Sequence, residues 1–164
     1  MDLARVMRHL VVLPGAVARK FPAAAMSAIE RATATGETQH SGEVRFAVEP
    51  ALETAALLAG QSARDRAIEV FSLLRLWDTE QRNGVLIYLL FADRDIEIVA
   101  DRGLNAVKAE EWEGICKRME EALRRGEFEK GVLEGLQAVS GVLARHFPPR
   151  SGDRNELPNR PVGV

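Results

Sequence analysis

Residues 82–103 read RNGVLIYLLFADRDIEIVADRG. The first half, Val85–Phe91, is an unbroken apolar run rich in branched side chains, opened by Asn83-Gly84 and closed by Asp93-Arg94-Asp95. A continuous run of this length between turn formers predicts a strand covered on both faces. Ile96–Ala100 follows at once, and the tight polar connector predicts an antiparallel hairpin. Polar residues gather at its two mouths. Asp78, Arg82, Asn83, Asp101 and Arg102 lie at one, and Asp93, Arg94 and Asp95 at the other.

Outward from the hairpin, Glu43–Glu49 alternates Val44, Phe46 and Val48 against Glu43, Arg45 and Ala47, which predicts a strand near a sheet edge. Between the two strands Ser62 can cap a helix running to about Leu76, with Ala67, Val70, Phe71 and Leu74 inward. Pro50–Gly60 supports no more than a helical turn or a loop. Behind Pro22, the spacing of Phe21, Ala25, Ile29 and Ala32 predicts a helix ending near Gly36. Glu110–Leu123 and Glu127–Phe147 carry apolar stripes of helical period, joined through Arg124-Arg125-Gly126 as a C-cap signal. From Pro148 the chain reads PPRSGDRNELPNRPVGV, without periodicity, and is ordered only if it docks.

A strand–helix–strand unit favours parallel pairing with a right-handed crossover, and the hairpin adds one antiparallel strand. The predicted fold is therefore α/β: an α/β/α sandwich with a small mixed sheet covered by helices on both faces. The predicted organisation is an N-terminal segment over 1–20, one domain over 21–147 and a Pro/Gly-rich tail over 148–164.

The 164 residues carry 22 Lys and Arg against 24 Asp and Glu, a net charge of −2, with the basic residues dispersed. This balance gives no electrostatic footprint for nucleic acid or for an anionic membrane surface. Cys116 is the single cysteine, which rules out an intramolecular disulfide, makes a Cys-based metal site a poor reading and suits a cytoplasmic location. Arg5 and Arg8 precede Leu10–Leu13, but Pro14-Gly15 interrupts the run and Arg19-Lys20 follows, so the segment reads as mature chain and not as a signal peptide. No stretch approaches the roughly 20 apolar residues that span a bilayer, so the chain is not expected to be an integral membrane protein.

If Glu43–Glu49 and Val85–Phe91 are parallel, their N-terminal ends share one side of the sheet, and the hairpin returns the end of Ile96–Ala100 there. His40, Glu43, Asp78, Asn83, Asp101 and Arg102 then converge. Glu43, Asp78, Asn83 and Asp101 could offer oxygen ligands to a hard cation such as Ca²⁺ or Mg²⁺. Arg102 could clamp a phosphate and His40 could act as acid or base in metal-assisted hydrolysis. The alternative is plainer: Asp78 and Asn83 turn the backbone, Asp101 pairs with Arg82 or Arg102, and His40 is a solvated loop residue. A third reading follows the rule that open α/β sheets bind ligands beyond the C-terminal strand ends, here Glu49, Asp93 and Asp95.

The same residues carry a family resemblance. Thr35-Gly36-Glu37 before the Gly42–Glu49 strand, Ala67–Phe71, Asn83-Gly84-Val85-Leu86, Asp93-Arg94, Ile96–Ile98 and Asp101-Arg102-Gly103-Leu104 together resemble the TPM-domain family. Trp112 and Gly126-Glu127-Phe128 continue the similarity, which spans about residues 21–147. The resemblance implies an α/β/α sandwich, divalent-cation binding (calcium in some members) and a proposed acid phosphatase activity on a phosphorylated small molecule or protein. Arg82 stands where an aspartate is common in the family. Against hydrolysis, the chain has no Gly-rich phosphate loop, no Cys-x5-Arg loop and no Asp-x-Asp in a strand–loop setting. The competing expectation is a non-catalytic interaction module that engages a protein partner through the same mouth and the Asn155-Glu156-Leu157-Pro158 tail.

Overall fold

The structure, a computed structural model, describes residues 2–164. Its centre is a four-stranded mixed sheet in the order β3-β2-β1-β4. β1 (Glu43–Glu49) and β2 (Gly84–Leu90) run parallel from Glu43↔Gly84 to Glu49↔Leu90, and β3 (Asp95–Ala100) returns antiparallel on β2. Every residue of β2 is buried, as its unbroken apolar sequence predicts. β4 (Val162–Gly163) pairs parallel with the outer side of β1, so β1, expected near an edge, is flanked on both sides.

Alternation along the strands divides the interior into two layers. Val44, Phe46 and Val48 of β1, Val85, Ile87 and Leu89 of β2, and Ile96 and Ile98 of β3 face one side. There they meet α3 (Ala23–Glu37), α6 (Ala109–Arg124) and α7 (Phe128–His146) through Ile29, Ile115, Met119, Val132, Leu136 and Leu143. Ala47, Leu86, Tyr88, Leu90 and Val99 face the other side, under α4 (Thr54–Leu58) and α5 (Ala63–Leu73). α5 begins with a capping box: Asp65 N–H donates to Ser62 Oγ at 3.0 Å, and Ser62 N–H donates to the Asp65 carboxylate at 3.2 Å. Gly126, at φ +82°, ends α6, because the left-handed conformation there costs least without a Cβ. The N-terminal segment forms α1 (Leu3–Leu10) and the short α2 (Ala16–Lys20).

The tail folds back onto β1. Leu157, Val162 and Val164 pack against the second layer, and Val164 N–H donates to Val48 C=O at 3.1 Å. Nothing periodic in residues 148–164 predicts this, because the docking uses main-chain groups that any sequence supplies.

The Asn83-Gly84 step that opens β2 is tightly packed at its glycine. A Cβ at Gly84 would collide with the Leu76 carbonyl, a backbone group that cannot swing aside. Gly84→Ala is expected to cost about 1–3 kcal/mol through that overlap. Urea unfolding reads this as a lower midpoint at constant slope; an unchanged midpoint would show that the strand start has slack.

Candidate functional site

The backbone assembles the predicted mouth. The parallel register puts Glu43 beside Gly84, and Asp101 N–H donates to Gly84 C=O at 2.9 Å, extending the β2–β3 ladder by one residue. The side chains divide into three groups.

Glu43 is buried, and its carboxylate accepts the backbone N–H groups of Glu156 (2.9 Å) and Leu157 (3.2 Å) from the tail. Burial raises its pKa, while these two amides act against the rise. Asp78 is exposed and pairs with Arg75, three residues back, at 2.5 Å. These two expected metal ligands therefore carry hydrogen bonds that a ligand role would have to break.

Asn83 and Asp101 differ. Asn83 is fully buried; its Nδ2 donates to Ser41 C=O at 2.8 Å, and its N–H donates to Thr79 Oγ1 at 3.1 Å. Its Oδ1 has no hydrogen-bond partner. Asp101 caps the 3-10 turn Arg102–Leu104 by accepting Arg102 N–H on Oδ1 at 2.7 Å, and its buried Oδ2 has no partner. Leaving such groups unpaired is costly, so each oxygen retains an unused capacity to accept a further contact. Arg102 is exposed beside them and, like Arg82, forms no ion pair with Asp101.

His40 departs from both sequence readings. It is 1% exposed, neither a solvated loop residue nor a base open to substrate, and neither ring nitrogen closes a hydrogen bond. Burial lowers its pKa, with the Gly42 backbone and Asp153 acting the other way. The cause lies in helix packing. A Cβ at Gly36 would collide with Ser140 Oγ and stand 3.7 Å from His40 Nε2, so the bare glycine lets α3 and α7 close over the ring.

Sequence reasoning assigned no role to Glu37, the last residue of α3. Its Oε1 accepts Val44 N–H at 3.2 Å and its Oε2 has no partner. Burial, then the Glu43 charge, pushes its pKa up to about 7 against the Val44 amide and Asn159. The one available signal was its place in Thr35-Gly36-Glu37, just ahead of the strand. Above the mouth, Glu80, Gln81 and the tail residues Arg150–Arg154 and Glu156 enclose an open cavity of about 800 Å³. Among the described residues no three His, Cys, Asp or Glu side chains converge so as to hold a metal ion.

At the other end of the sheet the polar groups satisfy one another. Glu49 accepts Tyr88 O–H at 2.6 Å and a two-pronged contact from Arg66 at 2.9 and 3.0 Å; burial, then the bond to Glu49, raises the tyrosine pKa beyond its ordinary range, with Arg66 acting the other way. Asp93 binds Arg5 (2.8 Å) and Arg8 (3.0 Å), with His9 Nε2 3.0 Å away. Asp95 alone is left under-compensated: burial, with Glu97 and Glu120, pushes it up to about 6. Saturation by arginine leaves little for a ligand at Glu49 or Asp93.

A mixed sheet between helical layers, with a polar mouth at Asn83-Gly84 and Asp101-Arg102-Gly103, defines the class. The model of the TPM domain matches residues 18–142, and the chain belongs to that family. Among solved structures, the NMR structure of the BA42 protein from the psychrophilic bacterium Bizionia argentinensis is similar, at 31% identity and a TM-score of 0.75. The similarity covers 87% of this chain and 94% of that one. No curated protein matches the chain. Among the described residues no helix is long and apolar enough to cross a membrane.

The Glu37 environment gives a pH dependence of defined sign. Between about pH 4.5 and 7 the folded chain keeps a proton that the unfolded chain has released. This contribution is full below about 4.5 and is lost as pH rises through 7. Glu37→Gln keeps the acceptor for Val44 N–H and removes the buried charge. The variant is expected to be more stable than wild type at alkaline pH by on the order of 1–2 kcal/mol, discounted for partial exposure. The advantage should vanish in acid. Urea titrations at pH 5 and 8 check this, and a pH-independent difference would remove Glu37 as the titrating group.

Proposed function

We propose that this TPM domain binds a divalent cation, Mg²⁺ or Ca²⁺, through Asp101 and Asn83, in support of a phosphatase-like role. The observation behind this reading is the pair of buried oxygens without partners, Asp101 Oδ2 and Asn83 Oδ1, at the start of β2 and the end of β3. Oxygen donors suit hard cations, and Mg²⁺ in particular is commonly held by one or two carboxylates together with waters and substrate phosphate. A cation in that position supplies Lewis-acid polarisation of a phosphoryl oxygen. In this reading Arg102, exposed next to Asp101, receives the phosphate. The earlier ligand set thus contracts, with Asp78 held by Arg75 and Glu43 by the tail. His40, buried beneath α3 and α7, does not serve as the acid or base in this reading.

The burial of His40 also favours the second reading, a non-catalytic interaction module. Its original form gave the mouth and tail to another protein, but Glu156 and Leu157 engage this chain's own Glu43.

NMR titration of the metal-stripped protein with Mg²⁺ and then Ca²⁺ tests the binding. Saturable shifts are expected at residues 83–84 and 101–104, and Asp101→Asn should weaken binding at least about tenfold by neutralising a charged ligand at nearly constant volume. Unchanged calorimetric affinity in that variant would reject the assignment. Hydrolysis of p-nitrophenyl phosphate with and without the cation separates the readings: saturable binding without turnover favours the interaction module.

A further inference from the structure

Amphipathic helices packed for stability turn their apolar stripe inward. α1 does the reverse. Leu3, Met7 and Leu10, spaced to fall on one face, are 66%, 51% and 58% exposed. The helix is held instead by its polar side. Arg5 donates to Asp93 at 2.8 Å and to Gln61 C=O at 2.7 Å, and the buried His9 accepts Leu52 N–H on Nδ1 at 2.9 Å. That acceptor role leaves the ring proton on Nε2, which lies 3.0 Å from Asp93 Oδ2. Arg8 reaches the other Asp93 oxygen at 3.0 Å. Only Val6 of the apolar stripe packs against the interior. Past α1, Val11 and Leu13 remain exposed, and Leu58 on the neighbouring α4 is exposed too. Ion pairs therefore fix this helix so that its apolar face stays in solvent, and exposed apolar surface of this kind marks an interaction site.

Two observations select the occupant. The rim keeps a basic excess: Asp93 and Asp2, which caps α1 through Arg5 N–H at 3.1 Å, offset Arg5 and Arg8, while the exposed Arg19 and Lys20 form no ion pair among the described residues. Arg8 is half exposed, and Arg19 sits at the Pro14 carbonyl (3.5 Å), next to Leu13. The chain's net charge of −2 conceals this local excess. The face is also too small for a stable dimer, in which about 20–30 residues a side are engaged, and a two-fold copy would set the basic rims against each other.

We propose that α1 seats this protein on an anionic lipid surface, with Leu3, Met7, Leu10 and Val11 entering the headgroup boundary and Arg8 and Arg19 meeting lipid phosphates. The helix lies ahead of the TPM match, which begins at residue 18, and the proposal is independent of the cation site.

Co-sedimentation of the full chain with extruded vesicles tests it. With equal parts phosphatidylglycerol and phosphatidylcholine the protein should pellet, at least about tenfold more tightly than with phosphatidylcholine alone, and high salt should weaken the binding. Met7→Ser/Leu10→Ser, at exposed positions and with an unchanged thermal midpoint, should lose at least about tenfold in affinity, and Arg19→Gln about fivefold. Failure to pellet with the anionic vesicles, or wild-type binding by the double variant, overturns the proposal. A concentration-dependent dimer abolished by Met7→Ser/Leu10→Ser, without vesicle binding, overturns it in favour of a second copy.

Discussion

The complete burial of β2 is the constraint from which the rest follows. A strand covered on both faces admits polar side chains only at its ends or where they are fully paired. Its one polar side chain, Tyr88, is admitted because the hydroxyl reaches Glu49 at 2.6 Å. Helical layers on both sides are then obligatory, and the carboxylates buried at the sheet gather at the strand ends, Glu43 and Asp101 at one mouth and Glu49 at the other. Of polar side chains, the middle of β2 admits only Tyr88.

β1 shows the consequence most clearly. On its second face Glu43, Arg45, Ala47 and Glu49 succeed one another, so both ends bury a carboxylate. At the far end Glu49 meets a guanidinium and a hydroxyl from rigid elements, α5 and β2. Charge-assisted bonds of that kind are strong and directional, and they close that end. At the near end Glu43 meets main-chain amides of the tail, and Glu37 stands beside it with a pKa near neutrality. The near end is thus held by neutral donors and still carries electrostatic repulsion. An end with partnerless oxygens and a soft closure can accommodate a ligand, whereas the arginine-saturated end cannot do so without breaking ion pairs.

Much of this was legible in the sequence. The run Val85–Phe91, the alternation at Glu43–Glu49 and the caps at Ser62 and Gly126 locate the sheet and its helices, because periodicity and turn chemistry act locally. The convergence of Glu43, Asn83 and Asp101 follows from topology alone. Which way each side chain turns does not. Asp78 has a neighbour in the turn after α5, Arg75, within reach, and this local pair holds it out of the mouth. The burial of His40 depends on a glycine in α3 and a serine in α7, more than a hundred positions apart. The tail docks by backbone amides, and α1 docks by its charged side, against the expectation that an apolar stripe faces inward.

Arg82 completes the argument about the mouth. It adopts φ +53°, a left-handed conformation that aspartate and asparagine tolerate better than arginine. The turn persists because its main chain is fixed from elsewhere. Arg82 C=O accepts Gly103 N–H at 2.8 Å, and a Cβ at Gly103 would collide with the carbonyls of Gln81 and Arg82. An aspartate-to-arginine exchange at this position therefore alters charge without moving backbone. Arg82 and Arg102 are both exposed beside the buried Asp101 carboxylate, and their charges work against a bare cation there and favour an anion. A cation arriving together with a phosphate offsets both terms, since the phosphate supplies the negative ligands that Asp78 and Glu43 withhold. On the proposed reading, cation and phosphate affinity at Asp101 should accordingly be coupled, each ligand binding more tightly in the presence of the other.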